Sequence, residues 1–256
     1  MRIVIKVGTS TLAYDTYRIN IRRAEALCKV LSDIHNMGHE VILVSSGAIA
    51  MGAGKLQLVE RPTDMPTKQA AAAVGQCELM YIYDQLFGRY NHTVGQVLLT
   101  AADVHDDTRR QHFCDTINRL LSLWVIPVIN ENDTITTEEI RFGDNDTLAA
   151  IVAVNVQADV LIILSDIDGL YDADPRYHAD AKLLRHVPQI TPAIQSLAGQ
   201  HNSTLGTGGM VTKLNAARMC IDGGVEMIIA NGSDPDNLYA ILDGQPIGTV
   251  FGEKKL

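Results

Sequence analysis

Short runs of consecutive apolar residues alternate along this chain with longer stretches in which apolar positions recur every three or four residues. The runs at 3–7, 41–44, 94–99, 125–129, 160–164 and 225–229 are strand candidates, and most of them are apolar at successive positions, as strands covered on both faces should be. The intervening periodicity predicts helices over 21–37, 67–90, 108–123, 145–156 and 210–222, with Asn20 placed to cap the first and Gly38 to stop it. This alternation predicts a mainly parallel sheet wrapped by helices. Pro127 sits awkwardly inside a strand run, where it offers no ladder donor and requires a bulge or an irregular strand end. Segment 134–142 alternates weakly and suggests a hairpin beside the sheet. Gly and Pro cluster over 52–66, which reads as a long loop of the kind that forms binding lids.

The chain has 256 residues, 46% of them hydrophobic, enough to bury a substantial core. Its net charge of −9 and the lack of any basic run argue against a nucleic-acid partner. Cys28, Cys77, Cys114 and Cys220 are widely spaced within helical patterns and read as buried thiols in a reducing compartment. His35 and His39 flank Gly38 and read as surface or loop residues, not a metal pair. The opening MRIVIKVGTS has a short apolar run broken by Lys6 and no cleavage site, so no secretory signal is expected. No apolar run approaches bilayer length, and the cytoplasm is the expected location.

Four strand runs end in small or polar residues: Lys6 to Ser10, Ser45 to Ala48, Asn130 to Asp133, and Ser165 with Asp166. Ligands of open parallel sheets bind beyond the carboxyl ends of the strands, so these clusters should meet in one crevice. Lys6 interrupts an apolar strand, and a lysine beside the flexible Gly8 can face an anion together with backbone N–H groups. The bland alternative is a lysine reaching water from a strand end. Gly206-Thr207-Gly208-Gly209 leads into a helix whose positive end suits phosphate, although neither a P-loop nor a dinucleotide fingerprint is matched. Lys213 shares a stripe with Met210, Ala217 and Cys220, which puts its charge on or beside an apolar face. Asp144 is a natural N-cap, whereas Asp146, one turn into the helix, could hold a lysine, and Asn145 offers both donor and acceptor to a zwitterion.

Several longer stretches carry a family resemblance: IKVGTS (5–10), VSSGAIA (44–50), KQAAAAVGQ (68–76), PVINEND (127–133), GDND (143–146), LSDIDGLY (164–171), DPR (174–176) and GTGGMVTK (206–213). In order and along essentially the whole chain, they resemble the glutamate 5-kinases of the amino acid kinase superfamily. The resemblance implies a three-layer α/β/α sandwich of the carbamate kinase-like type, with an amino-acid-substrate half over about 1–160 and a nucleotide half over 161–256. It implies that Lys6 and Lys213 contact the transferring phosphoryl group and that Asp146 organises them. Ser46, Gly47, Asn130, Asp133, Asp144 and Asn145 would bind L-glutamate. Lys6, Gly8, Ser165, Asp166, Tyr171, Thr207, Gly208, Gly209, Met210, Val211, Thr212 and Lys213 would hold ATP, with Mg²⁺ bridging its phosphates and no protein metal site of its own. It further implies inhibition by proline, hand-off to glutamate-5-semialdehyde dehydrogenase and a homo-oligomer. Many relatives continue into a C-terminal domain of the type found in RNA-modifying enzymes; this sequence stops shortly after Gly248-Thr249-Val250-Phe251, so the form without that domain is expected. Two other readings stand beside this one: a superfamily kinase with another acceptor, such as N-acetylglutamate or aspartate, and a sensor that binds without turnover. The sensor should lack Lys6, Lys213 or Asp146, and all three are present.

Overall fold

The computed structural model describes residues 1–14, 16–60, 62–136, 144–178, 180–198 and 209–255. Among these, β1 (Arg2–Val7), β2 (Glu40–Ser45), β3 (Thr93–Leu99), β4 (Val125–Glu131), β5 (Val160–Ser165), β6 (His186–Val187), β7 (Glu226–Asn231) and β8 (Thr249–Phe251) form one sheet in the order β3-β4-β2-β1-β5-β7-β8-β6. Every pairing is parallel except β7 with β8. The helices are α1 (Thr9–Leu12), α2 (Ile21–Asn36), α3 (Ala48–Lys55), α4 (Met65–Gly88), α5 (Ala101–His105), α6 (Asp107–Ser122), α7 (Asn145–Asn155), α8 (Pro192–Ala198), α9 (Met210–Asp222) and α10 (Asn237–Leu242).

Because side chains alternate along a strand, each strand feeds two cores. Val4 of β1 and Ile42 of β2 pack with Phe113, Leu148 and Leu214 from α6, α7 and α9. Ile5 and Leu43 point the other way, to Leu31, Leu79 and Ile241 from α2, α4 and α10. The expected three-layer α/β/α sandwich is what results, and all six apolar runs are strands within it.

The long loop expected over 52–66 is partly helix. α3 continues to Lys55, and Gly52 is a packing residue: a Cβ there would lie 1.8 Å from the Ala71 carbonyl oxygen of α4. Gly75 answers from α4, where a Cβ would fall 1.7 Å from the Ala48 carbonyl oxygen. Glycine here permits two helix backbones to touch. Pro127 is tolerated because the β2–β4 register starts at Leu43 with Val128; ahead of it β4 is registered only to β3, so no β2 pair is interrupted. The hairpin expected over 134–142 begins as a turn through 136, and its remainder lies outside the described residues. Cys28 and Cys220 are buried as expected, but Cys77 is exposed and Cys114 half-buried. His35 is buried too, its ring edge-on to those of His92 and Trp124.

Gly75→Ala should lower the melting temperature, since overpacking of about 1–3 kcal/mol corresponds to about 2–10 °C in a domain of this size. Gly88→Ala, also on α4 but with nothing within 4 Å of the new Cβ, should hold or raise it. Equal shifts for the two variants in thermal unfolding would show that close approach to α3 is not what Gly75 provides.

Candidate active site

β1, β2, β4 and β5 are neighbours or near neighbours in parallel, so their polar carboxyl ends lie along one edge of the sheet. Lys6 lies two residues after Val4 and therefore faces the same layer, toward α7 and α9. Asp146, the second residue of α7, meets it with Oδ1 2.7 Å from Lys6 Nζ. Lys213, in the first turn of α9, approaches the other oxygen, its Nζ 3.1 Å from Oδ2, and Thr212 Oγ1 donates to that same oxygen at 3.0 Å. All three charged residues are buried. Burial by itself pushes the Asp146 carboxyl upward, but Lys6 and then Lys213 outweigh it and hold the group below the usual carboxylate range. Two ammonium groups against one carboxylate leave a net positive charge. The start of α9 adds to it, because Gly209 caps that helix without any side-chain hydrogen bond and the first N–H groups keep their polarity. The arrangement is suited to an anion.

Beside this charged cluster lies a neutral one. Asn145 Nδ2 is 2.8 Å from Ser46 Oγ, 3.0 Å from the Ser45 carbonyl oxygen and 3.0 Å from Asn130 Oδ1. Asn130 Nδ2 in turn donates to Gln76 Oε1 on α4 at 2.9 Å. The ends of β2 and β4 and the start of α7 are thus stitched together by amides.

The remaining expected residues have their own surroundings. Gly8 borders the lysine, a Cβ there falling 3.6 Å from Lys6 Nζ, and Gly47 opens α3 at φ 105°, a conformation that strains any residue with a β-carbon. Asp144 caps α7, accepting from the Thr147 N–H and hydroxyl; burial pushes its carboxyl up. Asp133 lies in the turn after β4, where Gln69 Nε2 donates to the Thr136 carbonyl. Ser165 ends β5 and donates to Asp166, which is exposed. Tyr171 donates to Asp168 and is bridged to Leu183. Met210 is buried in the core and Val211 exposed. Thr207 and Gly208 lie outside the described residues. Sequence reasoning missed Gln76 and Tyr83, both buried on α4; Tyr83 bonds Ser45 Oγ at 2.7 Å behind the site. A polar residue amid an alanine-rich apolar stripe was the available signal.

The model of the amino acid kinase family matches residues 1–231. The chain belongs to the amino acid kinase family. Among proteins similar to this family member, a glutamate 5-kinase of Clostridium perfringens is 54% identical over 99% of this chain and 96% of its own length. One from Listeria monocytogenes is 52% identical over 99% and 94%, and one from Clostridium tetani 49% over 99% and 95%. Of solved structures, isopentenyl phosphate kinase of T. acidophilum superposes with a TM-score of 0.67 at 19% identity, covering 98% of this chain and 100% of that one. UMP kinase from Bacillus anthracis gives 0.65 at 16%, covering 98% and 95%. These two establish the amino acid kinase fold.

Asp146→Asn should destabilise the protein by about 3–5 kcal/mol, because it leaves two buried ammonium groups facing each other. The folded-state pKa of Asp146 is depressed, so its contribution is full above the unfolded carboxylate value of about 3.9 and fades as pH falls through the folded value. Denaturant unfolding should therefore show a gap between wild type and variant that is flat from about pH 5 to 8 and narrows only in stronger acid. A gap that changes across neutral pH would mean that Asp146 is not the ionised partner.

Proposed function

We propose that this chain transfers the γ-phosphoryl group of ATP to the γ-carboxylate of L-glutamate, the first step of proline synthesis. The observation that carries the reading is the buried Lys6–Asp146–Lys213 cluster lying beside the Ser46–Asn145–Asn130 network at one sheet edge, in a chain about half identical to glutamate 5-kinases. A glutamate side chain has a reference pKa of about 4.3, so at neutral pH its carboxylate is already a nucleophile and needs no general base. A carboxylate oxygen attacks the γ-phosphorus, the bond to the bridging oxygen breaks, and ADP leaves with that electron pair. What the protein must supply is alignment of two anions and stabilisation of the charge on the transferring group. Lys6 and Lys213 provide the charge, with Asp146 holding both side chains in place. Ser46, Gly47, Asn130, Asp133, Asp144 and Asn145 surround the amino acid in this reading. Gly8, Ser165, Asp166, Tyr171 and the start of α9 take the nucleotide, which gives the chain a glutamate half over 1–160 and an ATP half over 161–256.

Magnesium arriving with ATP would neutralise phosphate charge. Such an ion keeps several waters and needs only one or two protein carboxylates, a role that the exposed Asp166 at the end of β5 fits. Proline shares the α-carboxylate and α-nitrogen of glutamate, and our reading places its inhibition at the same residues. A homo-oligomer and hand-off of the labile acyl phosphate to glutamate-5-semialdehyde dehydrogenase complete the proposal. No helix among the described residues is long and apolar enough to cross a membrane, which suits a cytoplasmic enzyme.

The direct test is ADP release in the presence of glutamate, with hydroxylamine trapping the product as γ-glutamyl hydroxamate. Turnover with aspartate or N-acetylglutamate in place of glutamate would assign the chain to another acceptor, and binding without turnover would make it a sensor.

Division of labour within the site gives a sharper expectation. Lys6→Ala and Lys213→Ala should each reduce kcat by roughly a hundredfold or more, the scale of one preorganised transition-state donor, with much less effect on glutamate binding. Asp133→Asn, which removes a partner for the substrate ammonium, should instead raise KM for glutamate and leave nucleotide affinity nearly intact. Steady-state kinetics and ATP titration would refute these roles if a lysine variant kept near-normal kcat or if Asp133→Asn weakened both ligands equally.

A further inference from the structure

The amide network has a direction imposed by the backbone, and it extends behind the residues that face substrate. A backbone N–H can only donate and a backbone carbonyl can only accept, so each decides which end of a neighbouring amide must face it. Asn130 Oδ1 accepts from the Glu131 N–H at 2.9 Å, which turns its Nδ2 toward Gln76 Oε1. Asn145 Nδ2 has three acceptors within 3.0 Å, one of them the Ser45 carbonyl. Its two protons are committed to these groups. Its Oδ1, for which no partner exists among the described residues, is left to accept a ligand proton.

Gln76 itself is 7% exposed, and its Nε2 is buried without a hydrogen-bond partner. A half-satisfied buried amide destabilises a fold, whereas an apolar side chain would suit this stripe of α4, between Ala72 and Leu79, without that penalty. The group is retained where it engages Asn130, and Asn130 engages Asn145. We propose that Gln76 is a positioning residue for the amino-acid substrate: by holding Asn130 Nδ2 it locks the network so that Asn145 presents a carbonyl oxygen to the substrate's α-ammonium. Ser46 Oγ already accepts from Asn145, which leaves its proton to donate to a substrate carboxylate. The site is then polarised to take a zwitterion one way round and to reject glutarate, which is glutamate without the amino group. Removing the Gln76 acceptor leaves a buried N–H₂ on Asn130 unpaired and favours rotamers that abandon Asn145.

This inference rests on the glutamate reading, and the experiment separates the two. Wild-type turnover of glutamate is measured first, and its absence would overturn the proposed function itself. Kinetics with glutamate, glutarate and ATP are then compared for wild type, Gln76→Met, which keeps the shape but loses the acceptor, and Gln76→Glu, which keeps an acceptor oxygen. Gln76→Met should raise KM for glutamate roughly tenfold, the scale of one hydrogen bond, and reduce the kcat/KM preference for glutamate over glutarate by a similar factor. KM for ATP should stay within about twofold, and Gln76→Glu should recover most of the preference. Wild-type-like values for Gln76→Met, an equal rise in KM for ATP, or no recovery in Gln76→Glu would each overturn the positioning role. Should Gln76→Met fail to fold, Gln76→Glu decides alone: preference retained supports the role, and preference lost refutes it.

Discussion

Everything at this end of the sheet is organised around one carboxylate held between two ammonium groups. Lys6, Asp146 and Lys213 come from β1, α7 and α9; each buried lysine depends on the carboxylate and the carboxylate on the lysines, since an isolated buried charge is expelled or neutralised. Their meeting requires β1 at the centre of the sheet with α7 and α9 packed over the face to which Val4 and Lys6 point. Two of these three groups are cations, so an anion arriving beside them meets a favourable local charge.

Much of this was legible in the residues because burial writes strong patterns. Strands covered on both faces are largely apolar, which is why β1, β2, β4, β5 and β7 could be located from their apolar runs; β3, at the sheet edge and only partly buried, carried a weaker run with Gly95 and Gln96. β6 and β8, two and three residues long, are too short to carry such a pattern and exist only because a neighbour pairs with them. α3 was hidden for a different reason. Gly52 looks like a helix breaker in sequence, but in three dimensions it is what lets α3 touch α4, so tertiary packing overrode local propensity. At the site, a lysine inside a strand and another on an apolar stripe announced themselves as anomalies. Gln76 was equally anomalous, yet its partner lies on β4, far along the chain, and nothing local distinguishes such a glutamine from a surface one.

The charged and neutral clusters also divide recognition physically. Charge attracts any phosphate and is tolerant of angle, whereas amides with backbone-fixed orientation are selective for where donors and acceptors lie. α7 contributes to both through adjacent residues, Asn145 to the neutral cluster and Asp146 to the charged one. Two ligands that must meet in line are thus read from consecutive positions on one rigid helix, which fixes their relative placement better than two separate loops could.

The central place of β1 bears on how the chain assembles. β1 leaves the ribosome before the other strands of the sheet, and β2 can pair with it early, but the other neighbour, β5, ends only at Ser165. At about 5–20 residues per second, translation keeps that flank open for on the order of ten seconds. During this interval the nascent sheet has one side of its middle strand exposed, with Lys6 still hydrated until Asp146 is made. Parallel pairing across such sequence separations is slow in its own right. Withdrawal of Lys6 from water is consequently tied to the arrival of α7 and the pairing of β5, well after β1 itself has been made.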